Sequence, residues 1–195
     1  MKYLKLFESF EDGVKYLRLF ESFEDIEWIC RRYNIIDYTI NSDGTVDVNG
    51  TVDLWNLKLK LKKLPLKFNN VRGYFNCNSN NLTSLKGSPK VCQSDFHCAD
   101  NYLKSLEYSP ELINGVFDIS NNELSNLNGI GIVKSYIYLF DNPLKSLDGY
   151  DGDYGRLRHH EIKKLVRKQK LKMISKLWTK KKLLKYVKDY ILKII

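Results

Sequence analysis

The chain is short of the residues that usually carry chemistry. Of its 195 residues only three are histidine, and two of these, His159 and His160, are adjacent and so would point to different sides of a helix, unlike an HExxH pair. The four cysteines, Cys30, Cys77, Cys92 and Cys98, show no CxxC spacing, which reads as a reducing, cytosolic context. Three aspartates in "DGYDGDYG" (Asp148, Asp151, Asp153) hint at calcium, but the spacing is not that of an EF-hand loop and no glutamate closes it; a Gly/Asp turn is the simpler account. No Ser/His/Asp grouping stands out. No apolar run approaches the length of about 18 residues that a membrane span needs. Lys2, Lys5, Glu8, Glu11 and Asp12 interrupt anything resembling a secretory h-region. These absences predict a protein without catalytic residues, cofactor or metal.

Charge is present but uneven. The net +9 hides a split: residues 156–195 hold 15 Lys/Arg against 2 Asp/Glu, or +13, and the remainder carries −4. A mildly acidic body with a strongly basic tail points to a partner of negative charge, or to a well-solvated helix.

The middle of the chain repeats itself. "FNCNSNNLTSLKGSP" from Phe75, "FHCADNYLKSLEYSP" from Phe96, "FDISNNELSNLNG" from Phe117 and "IYLFDNPLKSLDG" from Ile137 share one frame, hydrophobic-x-hydrophobic-x-x-Asn-x-Leu-x-x-Leu, at offsets of 21, 21 and 20. The Asn column is Asn80, Asn101, Asn122 and Asn142. The Leu columns are Leu82, Leu103, Leu124, Leu144 and Leu85, Leu106, Leu127, Leu147. A further apolar column, Val71, Cys92, Ile113 and Val133, precedes each unit. A degenerate unit lies upstream, with Leu54, Leu61 and Leu64 in register and Leu59 in the Asn place. The alternating pair predicts a short strand. Where the chain then turns away, a buried Asn amide can satisfy backbone groups that would otherwise lack partners. No unit can bury its apolar face alone, so neighbours must stack.

This frame resembles the leucine-rich repeat family, over residues 54–149. The Asn-rich wording, with Gly87, Pro89 and Pro110 after the second Leu, is similar to the short repeats of phage and bacterial proteins. The resemblance implies an α/β repeat fold: a short solenoid with a parallel β-sheet, which units of 20–21 residues leave without room for full convex helices. It implies a recognition scaffold and no chemistry. Cys77, Cys92 and Cys98 fall in apolar columns and Cys30 on a helix face, so all four read as small buried hydrophobes.

Four segments follow: a leader at 1–25, an N-terminal cap at 26–53, the solenoid at 54–149, and a linker with a basic amphipathic helix at 150–195. In the cap, "EDIEWICRRY" places Ile26, Ile29, Cys30 and Tyr33 on one helix face, and "YTI" and "TVDV" around "NSDG" predict a hairpin. Outward positions beside the strands would line a concave, protein-binding surface: Trp55, Tyr74, Asn76, Asp95, His97, Asp118, Tyr136 and Tyr138, with Asp53 and Val116 in the same columns. Aromatic residues with a polar rim suit recognition, although Tyr and Trp also stabilise strand surfaces through cross-strand pairs.

From Glu161 the spacing is helical. The apolar set Ile162, Leu165, Val166, Met173, Leu177, Leu184, Val187, Ile191 and Ile194 is broken by Gln169 and Lys180. Three roles compete for it: capping the open solenoid end, holding DNA phosphates, or lying on an anionic membrane with Trp178 at the interface. DNA ranks ahead of membrane, through Arg156, Arg158, Lys163, Lys164, Arg167, Lys168, Lys180, Lys181 and Lys182.

That ranking comes from the leader. "KYLKLFESFED" (2–12) and "KYLRLFESFED" (15–25) match at ten of eleven positions. A 13-residue offset would leave the copies roughly 140° apart on one helix, so a copied linear signal explains them better than one long amphipathic helix. The segment resembles the capsid-targeting leaders of contractile-tailed phages, which are cut after Leu/Ile-x-Glu. That implies processing at Glu8 or Glu21; a plain helix packed on the cap is the competing reading. The expectation is a non-enzymatic protein-binding scaffold, phage-encoded and in the host cytoplasm. The alternative is a virion-interior protein whose tail grips DNA.

Overall fold

In the computed structural model the described residues are 24–55 and 60–191, with 182–191 described by backbone alone. Helix α1 covers residues 24–32 and buries Cys30, with Ile26, Ile29 and Tyr33 packed on the core behind it. It stops where Asn34 turns left-handed (φ 52°). The Ile35 N–H reaches back to the Cys30 carbonyl at 2.8 Å and the Asn34 N–H to Arg31 at 3.2 Å, a six-to-one and five-to-two closure that satisfies the last carbonyls.

The predicted hairpin follows. β1 (Tyr38–Ile40) and β2 (Val46–Val48) pair antiparallel around a turn in which Gly44 takes φ +75°. β2 then pairs parallel with β4 (Phe68–Val71), so the hairpin closes one end of a sheet. From here the chain winds as a parallel-strand solenoid with two strands in each rung.

The first sheet runs β1-β2-β4-β6-β8-β10, where β6 is Val91–Cys92, β8 Leu112–Ile113 and β10 Ile132–Val133. The second runs β12-β11-β9-β7-β5-β3, where β3 is Val52–Asp53, β5 Phe75–Asn76, β7 Phe96–His97, β9 Phe117–Asp118, β11 Ile137–Tyr138 and β12 Leu157–Arg158. The repeat frame predicts the second sheet. The first is built on the apolar column that precedes each unit, where Cys92 and Ile113 are fully buried. The two leucines of each rung close the third side, and Leu82, Leu85, Leu103, Leu106, Leu124 and Leu127 are wholly inaccessible. Among the described residues no helix lies between rungs, as units this short require.

A spine of rings runs through the centre. Phe75 stacks on Phe96 at 5.1 Å, and Phe68 and Phe117 meet its two ends edge-on at 5.1 and 5.5 Å. Such geometries favour aromatic pairs beyond the area they bury.

The asparagines form a ladder. Each Oδ1 accepts the N–H of the preceding rung: Asn80 from Leu61, Asn101 from Leu82, Asn122 from Leu103 and Asn142 from Leu124, all at 2.9–3.0 Å. Each Nδ2 faces carbonyls of its own rung and one of the rung before. For Asn101 these are Cys98 and Ala99, and Cys77, each at 3.1 Å. The residue before each ladder asparagine (Ser79, Asp100, Asn121, Asp141) is left-handed, at φ 52–55°, which turns the amide inward. In the upstream unit, whose Leu59 lies outside the described residues, the Leu54 carbonyl is met by Asn80. No buried side-chain N or O among the described residues lacks a hydrogen bond.

The strand stack runs past residue 149, where a linker is predicted. Tyr150 is buried, its hydroxyl donates to the Asp153 carbonyl at 2.9 Å, and Leu157 is 2% exposed beneath β12. Residues 150–158 thus add a last rung to the second sheet alone. On the first sheet the Arg156 guanidinium takes the place of a missing strand, donating to the Val133 and Lys134 carbonyls at 2.9 and 2.8 Å.

Helix α2 (Ile162–Ile191) leaves from this end. Ile162, Leu165 and Val166 dock on the core, while every residue from Lys170 to Lys181 is exposed. Capping is therefore confined to the first turns.

Candidate functional site

The outward face of the second sheet carries most of the predicted binding residues. Strand register places Asp53, Asn76, His97, Asp118 and Tyr138 in one row and extends it to Arg158. Two residues earlier on the same face lie Tyr74, Asp95, Val116 and Tyr136. Trp55, Tyr74 and Tyr136 are 54%, 38% and 45% exposed.

Part of this row shapes the backbone. Asp53, Asn76 and Asp118 each use Oδ1 to accept the N–H two residues on, from Trp55, Asn78 and Ser120, at 3.0–3.1 Å. A side chain closing such a turn starts the bend that leads to the ladder. Asp95 Oδ1 accepts from the Val116 N–H at 2.6 Å, leaving Oδ2 3.9 Å from His97 Nε2. Among the described residues the His97 side chain makes no hydrogen bond to backbone, which leaves it, Trp55 and the tyrosines as the side chains of the face not committed to the fold's backbone.

At the C-terminal end the face changes character. The Arg158 guanidinium lies 4.1 Å from the Tyr136 ring centre while donating to the Gly155 carbonyl at 2.6 Å. Tyr138 stacks on Phe140 at 6.0 Å, and Phe140 meets His160 at 5.1 Å. His160 and Arg158 join the face because of the last rung, which carries no Asn-x-Leu-x-x-Leu frame to read, and they meet Phe140 and Tyr136 of the unit before it.

The basic residues divide by what they touch. Arg156 and Arg158 are committed to carbonyls of the solenoid. Lys164 pairs with Glu161 at 3.1 Å, Lys168 donates to the Lys145 carbonyl at 3.0 Å, and Lys172 pairs with Asp148 at 2.7 Å. Lys163 and Arg167 are exposed and have no hydrogen bond or ion pair among the described residues, and Lys180 and Lys181 are exposed further out. The Lys182 side chain lies outside the described residues, as do Glu8 and Glu21 of the leader.

The remaining chemistry-bearing groups have local roles. Asp153 caps the 3-10 turn Tyr154–Arg156, its Oδ1 accepting from the Gly155 N–H at 2.8 Å. The hydrogen bond from Lys172 holds the Asp148 carboxyl below the usual carboxylate range. Among the described residues no three His, Cys, Asp or Glu side chains are grouped to hold a metal ion. His159 Nδ1 accepts the Glu161 N–H at 3.0 Å, so Nε2 carries the proton and faces the Asn142 carbonyl at 3.4 Å. All four thiols are free and buried. Burial pushes Cys30 and Cys92 up to about 11, and Cys77 and Cys98 further.

No family model, curated protein or solved structure matches this chain. Among the described residues no helix is long and apolar enough to cross a membrane.

Proposed function

We propose that this protein is a non-enzymatic leucine-rich-repeat scaffold that holds another protein against the outward face of its second sheet. One observation carries the reading: exposed aromatic residues, Trp55, Tyr74 and Tyr136, stand along a sheet where Asp53, Asn76, Asp95 and Asp118 are each engaged with backbone N–H groups. Rigid rings on a preorganised surface lose little entropy when a partner covers them, and aromatic anchors dominate interface energetics. His97 in mid-sheet supplies a polar contact between them.

The test is capture from the native host with full-length protein, compared with a Tyr74→Ser/His97→Ala/Tyr136→Ser variant and a chain truncated after Leu171. A specific protein retained by wild type and by the truncated chain, but lost from the triple variant with an unchanged melting temperature, is the expected result. Equal retention by the triple variant overturns the reading.

A further inference from the structure

Among the described residues, the outer part of α2 is an exposed apolar feature that the proposed scaffold leaves unused. Beyond its docked first turns, Leu171, Ile174 and Leu177 are 58%, 58% and 60% exposed, and Met173 is 51% exposed. They do not stand alone. Lys163, Arg167 and Lys170 recur at four- and three-residue steps, and the series continues through Leu171, Ile174, Leu177 and Lys181, so one helix face alternates cations with apolar side chains. The three cations make no hydrogen bond or ion pair among the described residues. Their neighbours are engaged: Lys168 and Lys172 reach the solenoid, and Lys164 pairs with Glu161.

The face begins in a cleft of about 510 Å³ between the solenoid end and the helix. Ile162, Val166 and Tyr154 form its apolar floor, and Lys163, Arg167 and Lys170 stand at its rim.

Three occupants can be weighed by charge and polarity. A second copy of the helix would bring 12 Lys/Arg and a single acid, Asp189, against the same set, and like charges would repel. Duplex DNA would satisfy the cations and leave Leu171 and Ile174 in water. A bilayer surface rich in anionic lipid satisfies both: phosphates meet the unpaired cations, while the apolar side chains enter the acyl boundary and the lysine stems lie along them. The helix is too basic to span, so it would lie in the interface plane.

We infer that the face of α2 from Lys163 to Lys181 adsorbs to anionic lipid membranes, combining phosphate contacts from Lys163, Arg167 and Lys170 with shallow insertion of Leu171, Ile174 and Leu177. Either contribution alone gives weak binding, and stable attachment takes both.

The experiment is sedimentation of the full chain with vesicles of pure phosphatidylcholine or of equal parts phosphatidylcholine and phosphatidylserine, beside a gel-shift titration with a short duplex DNA. Two variants separate the contributions: Leu171→Ser/Ile174→Ser keeps the charge, and Lys163→Gln/Arg167→Gln/Lys170→Gln keeps the apolar side chains. All five side chains lie outside the core, so far-UV circular dichroism and the melting temperature should match wild type. Wild type is expected to bind the anionic vesicles at least about tenfold more tightly than pure phosphatidylcholine, and each variant to lose about tenfold or more. Three results would each overturn the inference: wild type left in the supernatant with anionic vesicles; a serine variant that binds them as wild type does; or tighter binding to duplex DNA than to vesicles, unaffected by the serine changes.

Discussion

The Lys172 ammonium donates to both carboxylate oxygens of Asp148, at 2.8 and 2.7 Å, and so joins the third turn of α2 to the last Asn-ladder rung. Gln169 Nε2 reaches the same carboxylate at 3.4 Å. Apart from these bonds, Lys168 and the apolar contacts of Ile162, Leu165 and Val166, little holds the helix to the solenoid.

Asp148→Asn should therefore loosen the docked turns without unfolding the solenoid. Both partners are more than a third exposed, so the pair contributes no more than about 0.5–1 kcal/mol. The expected result is amide exchange faster by about two- to fivefold over residues 163–172, with the strands unchanged. Acid should act in the same direction. The Asp148 carboxyl lies below its ordinary value in the folded chain, so its contribution is present above that ordinary value and is lost as pH falls through the lowered one. Protection of these amides, taken relative to their intrinsic exchange rate at each pH, should fall over that interval in wild type and not in the variant.

Removing one ladder amide should cost far more. Asn101→Ala strands the Leu82 N–H in a dry interior and takes one of two amide donors from the Cys77 and Cys98 carbonyls, which keep Asn80 and Asn122. One buried unsatisfied donor costs about 1–3 kcal/mol, so a loss of about 2–3 kcal/mol is expected in urea unfolding once the lost hydrogen bonds to the carbonyls are added. Asn101→Asp should be at least as harmful, since a carboxylate cannot donate to those carbonyls.

A column of left-handed residues offers a paired test. Gly87, Gly129 and Gly149 take φ between 90° and 100°, and the matching position in the second unit is Tyr108 at φ 66°. A Cβ on Gly129 would stand 2.6 Å from the Glu107 nitrogen, so Gly129→Ala should destabilise by about 1–3 kcal/mol. Tyr108 is 52% exposed and strained, so Tyr108→Gly should raise stability by up to about 1 kcal/mol. Thermal melts of the two variants should move in opposite directions.

The thiols make a fourth prediction. A disulfide-exchange reagent should find no reactive cysteine in the native chain near neutral pH and four in urea. Because burial raises these thiols in the folded state, the unfolded chain ionises first as pH rises. Stability should hold below the ordinary thiol value of about 8.5 and fall from there towards about 11. The urea midpoint measured against pH checks the slope.

The parts of the fold that could be read from sequence are those that repeat. Asn80, Asn101, Asn122 and Asn142 recur at nearly fixed spacing because each must meet the same backbone groups, and that regularity exposes the second sheet, the leucine columns and the outward rows. Beyond the hairpin, the first sheet was visible only as an apolar column, because β6, β8 and β10 each bury a single residue, whereas each second-sheet unit buries an alternating pair such as Phe75 and Cys77. The last rung was hidden for a different reason. Leu157 fills the strand place without an asparagine after it, since His159 and the start of α2 finish the ladder instead. For the helix, apolar spacing left capping of the solenoid, DNA and membrane as competing roles, and it gave no sign of where docking would stop. That limit is set by the length of the solenoid end, which three side chains are enough to cover.

The direction of the asparagine ladder has a consequence for how the protein is made. The Leu82 N–H waits for Asn101, the Leu103 N–H for Asn122 and the Leu124 N–H for Asn142, so every rung is completed by residues translated about twenty positions later. A nascent chain leaving the ribosome N-terminus first thus carries one unfinished rung at its growing end at every stage. The repeat supplies no asparagine to finish the last one: the Leu144 N–H turns to the Asn142 carbonyl of its own rung, with the His159 ring beside it. Residues 157–166 therefore act as a stop for a structure that could otherwise be extended unit by unit, and a ribosome stalled before them would present an open template to the next strand it met.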